Sequence, residues 1–164
     1  MLTKKLIRLV SGAMLALVLH IVPTNAHGAA LASWSSGQTI YVPAYSHIYI
    51  GDLKKPFYLT ATLCIRNSDP ATTITVTSVD YINSSGLLVK RFMTVPLLVR
   101  PYSSLSYVVN ESDKSGGSGA SFIVTWKSTV KVSQPVVESV MIGTGMQQGI
   151  SFTSRGQVVR EKAP

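Results

Sequence analysis

The sequence predicts an all-β protein, a single antiparallel β-sandwich of about seven to nine strands that follows an N-terminal signal peptide. Three observations lead to this prediction. Short runs of β-branched and aromatic residues alternate with polar residues, which is the pattern of half-buried strands. Clusters of Gly, Pro, Asn and Ser separate these runs at short intervals, as turns do. After the first 26 residues, no stretch has the periodicity of an amphipathic helix.

Residues 1–26 have the composition of a signal peptide. Three basic residues precede an apolar run over residues 9–22, and this order is typical of an export leader. The run has 14 residues, fewer than the about 20 that span a bilayer. We therefore expect cleavage after Ala26, or alternatively after Ala32, and a retained membrane anchor remains the other interpretation. The predicted location is the periplasm or the outside of the cell.

Removing 26 of the 164 residues leaves 138, enough for one domain with a sizeable core. We expect a flexible tether over residues 27–37, the β-sandwich over residues 38–160 and a short tail over residues 161–164. The 138 residues carry 12 Lys and Arg against 7 Asp and Glu. Because these cations are dispersed along the sequence, the pattern argues against a nucleic-acid partner.

Cys64 is the one cysteine of the chain, so no intrachain disulfide can form. A free cysteine is most often a small buried hydrophobic residue, and that is the expectation for Cys64. The alternative is a reactive thiol or a disulfide to another chain.

The predicted strands follow one another closely along the domain. The clearest begins at Phe57, because Leu59, Leu63 and Ile65 fall on one face of an extended chain and Cys64 on the other. The first half of the next strand is almost entirely β-branched, which favours a pleated surface. In chain order, the predicted strands are 38–42, 46–50, 57–67, 72–82, 87–92, 105–109, 122–126, 136–142 and 149–153.

Two resemblances add to this prediction. The segments 65–86 and 99–109 are similar to parts of bacterial immunoglobulin-like domains, although the Cys–Cys pair of the immunoglobulin fold is absent. Five blocks together resemble a family of exported bacterial proteins that is described only as a domain of unknown function. This resemblance implies export and a single β domain, and it implies no activity, cofactor or catalytic residue. The five blocks are YSHIY (45–49), IRN (65–67), GGSGASF (116–122), PVVE (135–138) and GISFTSRG (149–156).

The sequence offers little for catalysis or metal binding. Ser118 lies in a glycine-rich segment that distantly echoes the nucleophile elbow of serine hydrolases, but the elbow requires a following helix, and residues 122–126 are strand-like. The two histidines after the leader, His27 and His47, match no zinc-ligand spacing with the single cysteine. We therefore expect no metal, no cofactor and no catalytic residue.

An aromatic stripe near the start of the domain is the strongest candidate for binding. If residues 41–50 remain extended, Tyr41, Tyr45, His47 and Tyr49 project from one face. Tyrosine combines an apolar ring with a polar hydroxyl, which suits contact with a sugar or a protein partner. The alternative is that the stripe packs beneath a loop or a second sheet.

Glu138 is the second candidate, because it interrupts the apolar strand over residues 136–142. A carboxylate among apolar residues needs a partner. We expect a buried ion pair with Arg155, with Arg66 or Lys127 as alternatives.

These features predict an exported, non-catalytic binding or assembly module whose partner is an envelope protein or a glycan. The alternative is an envelope hydrolase whose carboxylates or serines come together only in the folded structure.

Overall fold

The computed structural model describes residues 34–145 and 148–162, which are mostly β-strand. The predicted antiparallel all-β fold is confirmed. One short 3₁₀-helix, Gly51–Leu53, interrupts the strands. No helix within the described residues is long and apolar enough to cross a bilayer. The strands are β1 Trp34–Pro43, β2 His47–Ile50, β3 Lys55–Tyr58, β4 Thr60–Arg66, β5 Ile74–Ile82, β6 Leu88–Arg91, β7 Leu97–Val99, β8 Ser104–Val109, β9 Ser121–Ser133, β10 Val136–Gly145, β11 Gln148–Arg155 and β12 Gln157–Glu161.

The strands form three antiparallel sheets. The large sheet has the order β12-β1-β9-β5-β6, and β7 also pairs with β5. The small sheet has the order β11-β10-β4-β8, and β2 pairs with β3 in a separate hairpin. The chain passes from the small sheet to the large one at Gly156, whose N–H donates to the carbonyl of Val137 at 2.8 Å.

The two larger sheets each contribute one apolar face to the core, which gives a sandwich-like all-β fold. Leu59, which directly precedes β4, and Ala61, Leu63 and Ile65 on β4 are all buried, while the residues between them are partly exposed, as the alternation predicts. The large sheet contributes Ile40, Val42, Ile74, Val76, Val79, Tyr81, Phe122, Val124 and Trp126. The immunoglobulin-like arrangement of the strands stays a prediction.

The described residues contain twelve strands, more than the seven to nine expected. The predicted strand 57–67 is two strands, because β3 pairs with β2 whereas β4 pairs with β10 and β8. Strand β7 lies between Pro96 and Pro101, and β12 follows β11 after the single residue Gly156. Strands β7 and β12 each pair with a strand that is distant in sequence, and local periodicity does not predict such pairing.

The predicted tether is too long at its C-terminal end, because β1 already begins at Trp34. Ser35 pairs with Val132 and Gly37 pairs with Lys127 on β9. Backbone hydrogen bonds hold these small polar residues in the sheet even though their side chains resemble those of a linker. The signal peptide, both cleavage sites and residues 27–33 lie outside the described residues.

The expectation that Cys64 is buried is also wrong. Its thiol is free and only partly buried, because Cys64 lies on the face of β4 opposite Leu63 and Ile65.

The turn between β4 and β5 is ordered by the buried carboxylate of Asp69. It accepts hydrogen bonds from the backbone N–H groups of Ala71 at 3.0 Å, Thr72 at 2.8 Å and Ser133 at 3.1 Å. These bonds, above all those from Ala71 and Thr72, lower the pKa of Asp69 from its ordinary value of 3.8. The carboxylate therefore joins the turn to the end of β9.

We expect Asp69→Asn to lower the midpoint of urea unfolding at pH 7, because an amide nitrogen cannot accept the bond from Ser133. A folded-state pKa below the unfolded one stabilises the fold above about pH 3.8, and this stabilisation disappears as pH falls through the folded value. The midpoint of the wild type should therefore fall more steeply between pH 5 and pH 2 than that of the variant. The exposed Asp52→Asn serves as the control and should follow the wild type; parallel profiles for Asp69→Asn and wild type would contradict the assignment.

Candidate functional site

The β2–β3 hairpin presents aromatic side chains on one face and apolar side chains on the other. His47 pairs with Tyr58, and Ile48 pairs with Phe57 in the next register position. Side chains alternate between the faces of a strand, so Ile48 and Phe57 pack against the core. His47, Tyr49 and Tyr58 therefore share the opposite face.

Two glycines of β10 fix the position of this hairpin. A Cβ atom at Gly143 would lie 2.4 Å from the ring of Phe57 and 2.7 Å from the carbonyl oxygen of Tyr58. A Cβ atom at Gly145 would lie 2.5 Å from the same ring. The ring of Phe57 thus lies directly on the backbone of β10, where no side chain larger than hydrogen fits.

Ser46 fixes the base of the hairpin with three hydrogen bonds. Its hydroxyl forms a 2.8 Å hydrogen bond with the hydroxyl of buried Tyr81, and its carbonyl accepts from Leu59 N–H at 2.9 Å. Its N–H donates to the carbonyl of Gly117 at 3.0 Å, in the loop between β8 and β9. Burial of the phenol raises the pKa of Tyr81, so the neutral hydroxyl persists at physiological pH.

The loop between β8 and β9 is also ordered. Ser84 receives a hydrogen bond at its hydroxyl from Gly119 N–H, 2.8 Å away, and donates to the carbonyl of Gly116. Asp113 accepts bonds from the hydroxyl and the backbone N–H of Ser115, and these bonds lower the pKa of Asp113. Hairpin and loop are therefore held in a fixed relation through Ser46 and Gly117.

An aromatic cluster and an open hollow meet between these two segments. The ring of His47 contacts Tyr49 edge-on with centroids 5.2 Å apart, and contacts Tyr58 at 5.9 Å. The ammonium of Lys114 lies 4.5 Å from the ring centroid of Tyr58, within the range of a cation–π contact. The hollow, called the aromatic hollow below, has a volume of about 650 Å³ and is lined by Tyr58, Thr60, Asn110, Glu111, Ser112 and Lys114.

The structure divides the predicted aromatic stripe into three parts. His47 and Tyr49 belong to the cluster, and Tyr49 is 55% exposed. Tyr45 packs edge-on against Phe152 at 5.7 Å and is half-buried, so it has the structural role weighed as the alternative. Tyr41 is on β1, paired with Ile123 and Gln157, and no ring contact among the described residues includes it.

Sequence reasoning missed Tyr58 and Lys114 as residues of this site. The hairpin could have indicated Tyr58, because a turn around residues 51–54 places it opposite His47. No sequence signal places the loop residues Lys114 and Glu111 beside the hairpin, since that neighbourhood depends on long-range packing.

Glu138 forms its ion pair with Arg66 rather than with Arg155. Both arginines lie on strands that flank β10, and Arg155 is directly opposite Glu138, but Arg66 reaches the carboxylate from a diagonal position on β4. The hydrogen bond to Glu138 raises the pKa of Arg66. The pair is not buried, because the side chains of Arg66 and Glu138 are 50% and 19% exposed, respectively. Glu138 shares one face of β10 with Val136 and Val140, and this face points away from the core.

Elsewhere in the described residues, the carboxylate of Asp80 forms an ion pair with the guanidinium of Arg91, 2.9 Å away. Ser118 precedes strand β9 rather than a helix, and an elbow geometry requires the helix. Among the described residues, no three of His, Cys, Asp and Glu lie close enough together to hold a metal ion.

The described residues form an all-β domain with an ordered, solvent-open hollow on its surface. The chain belongs to a family described as "Protein of unknown function (DUF3124)", whose profile matches residues 37–159. No curated protein matches the chain. A solved structure from Thermotoga maritima, titled "Crystal Structure of Thermotoga maritima 1070", is similar at a TM-score of 0.44 with 14% identity, covering 76% of this chain and 97% of that one.

Proposed function

We propose that the protein is an exported, non-catalytic binding module of the cell envelope, and that the aromatic cluster and the aromatic hollow bind a glycan. The observation that carries the proposal is the exposed ring of Tyr49, held edge-on to His47 on a hairpin that is anchored to the core. A rigid aromatic ring gives contact area at little entropic cost.

The chemistry of the hollow supports a sugar ligand. Asn110, Glu111, Ser112 and Thr60 bring hydrogen-bond donors and acceptors to one open surface, and Lys114 adds a cation. Sugars present apolar ring faces and many hydroxyl groups. An exposed tyrosine suits the ring faces, and the polar side chains of the hollow suit the hydroxyl groups. The aromatic face of Tyr58 is already covered by Lys114, which leaves Tyr49 for stacking.

The fixed geometry supports binding without a large conformational change. Ser46 ties the hairpin to Tyr81 and to Gly117, and the ring of Phe57 lies against Gly143. A preorganised site loses less conformational entropy when a ligand binds. Export is supported by the composition of residues 1–26.

Pull-down on peptidoglycan sacculi and on a panel of insoluble polysaccharides tests the proposal. The protein is taken from the periplasmic fraction of an expressing bacterium, where mass spectrometry should find an N-terminus at His27 or Ser33. We expect Tyr49→Ala to weaken binding at least about fivefold, because the lost aromatic contact contributes about 1 kcal/mol.

Tyr102→Ala is the matched control, since Tyr102 is 75% exposed and contacts neither the cluster nor the hollow. It should bind as the wild type does. Equal losses in the two variants, or no binding to any of the polymers, would refute the glycan proposal.

A further inference from the structure

The outward face of the large sheet gathers cations that are far apart in sequence. Lys127 on β9 pairs with Gly37 of β1 on one side and with Thr75 of β5 on the other. Lys162 follows β12 and donates its N–H to the carbonyl of Gly37 at 2.8 Å. Two residues further along β1, and on the same face, Arg160 pairs with Thr39. All three cations are exposed.

Gly37 brings the two lysines onto the same surface. A Cβ atom at this position would lie 3.1 Å from Cδ of Lys162 and 2.8 Å from the carbonyl oxygen of Trp126. The aliphatic stem of Lys162 therefore lies over the bare backbone of β1, on the side of Lys127. A larger residue at position 37 would obstruct this path.

Two hollows share both lysines, and together they form what we call the basic groove. The first has a volume of about 240 Å³ and includes Thr39, Thr125 and Arg160. The second has a volume of about 580 Å³. It is lined by Thr73, Thr75, Leu98, Lys127, Ser128, Thr129 and Lys162.

Acidic groups offset only part of the charge of this groove, which has three cations and one carboxylate in its lining. Glu161 is the one acidic residue lining either hollow, and its carboxylate accepts hydrogen bonds from Ser35 at 2.7 Å and Gln38 at 2.6 Å. None of the three cations has a salt bridge among the described residues. Cations that outnumber the carboxylates near them repel one another, and a bound anion relieves that repulsion.

We propose that the basic groove binds a polyanionic polysaccharide, a chain that carries phosphate, sulfate or carboxylate groups. Ammonium, guanidinium and threonine hydroxyl groups are the donors that such anions accept. Two adjoining hollows with shared lysines fit repeated anionic groups along a chain. Nucleic acid is the less suitable polyanion, because Trp126, the one aromatic residue lining either hollow, is 1% exposed and offers no surface for base stacking.

Fluorescence anisotropy with fluorescein-labelled dextran sulfate tests this proposal, with neutral dextran as the uncharged probe. The wild type should bind dextran sulfate and not neutral dextran. Lys127→Gln/Lys162→Gln should raise Kd at least about tenfold, since two charge-assisted contacts are lost, and should flatten the dependence of Kd on salt. Both lysines are exposed, so circular dichroism should show an unchanged fold.

Lys54→Gln/Lys55→Gln removes the same charge from the exposed end of the β2–β3 hairpin and should keep Kd within about twofold. If the two double variants weaken binding equally, net charge rather than the groove is responsible, and the proposal fails. Tighter binding of a single-stranded oligonucleotide than of dextran sulfate at equal charge concentration would also overturn it. Lys127→Gln/Lys162→Gln should bind the uncharged polysaccharides of the pull-down panel as the wild type does, which separates this site from the aromatic hollow.

Discussion

Gly143→Val is expected to lower the free energy of unfolding by about 3 kcal/mol, at the upper end of the cost of overpacking. Even the first added carbon would lie 2.4 Å from the ring of Phe57 and 2.7 Å from the carbonyl oxygen of Tyr58. The backbone of β3 must move away, because a carbonyl oxygen cannot change rotamer. Urea unfolding followed by far-UV circular dichroism measures the loss.

The same substitution should also damage the candidate site. Phe57 and Ile48 attach the hairpin to the core, so displacement of Phe57 shifts His47, Tyr49 and Tyr58 together. We therefore expect polysaccharide binding to fall at least as far as in Tyr49→Ala, even at temperatures where the variant remains folded.

Gly149→Val is the control in the neighbouring strand β11. A Cβ atom there meets nothing within 4 Å, and we expect a change within about 0.5 kcal/mol. Wild-type stability in Gly143→Val would show that the hairpin does not depend on close contact with β10.

The parts of the fold that depend on local alternation could be predicted, and those that depend on long-range packing could not. Leu59, Leu63 and Ile65 are buried as their spacing indicates. By contrast, Tyr58 and Lys114 meet only because the β8–β9 loop is held beside the hairpin. No periodicity within either segment records that contact.

The partners of charged side chains likewise depend on packing that the sequence does not reveal. The sequence offered three cations for Glu138, and the antiparallel ladder places Cys64 and Arg155 directly opposite it. Arg66 nevertheless forms the pair, because a long side chain reaches a diagonal neighbour across strands. Lys127 and Lys162 are likewise dispersed in sequence, and the sheet register and Gly37 bring them together.

Trp126→Ala is expected to lower the free energy of unfolding by about 3–5 kcal/mol, a large fraction of the about 5–15 kcal/mol that stabilises an ordinary domain. Trp126 is the largest fully buried side chain and is 1% exposed. Strand β9 lies between β1 and β5 in the large sheet, so the resulting cavity lies in the centre of the sandwich. Urea unfolding by far-UV circular dichroism measures the effect without requiring the indole signal.

Trp34→Ala and Trp126→Phe provide the controls that separate burial from the loss of any tryptophan. Trp34 is 59% exposed at the start of β1, so its removal should change stability by less than about 1 kcal/mol. Trp126→Phe should cost less than Trp126→Ala, because it keeps an aromatic ring and removes an indole N–H that has no hydrogen-bond partner among the described residues. In Trp126→Ala the remaining emission should be the red-shifted fluorescence of exposed Trp34. Equal stability of Trp34→Ala and Trp126→Ala would contradict the position of Trp126 in the core, and with it the packing of the two sheets.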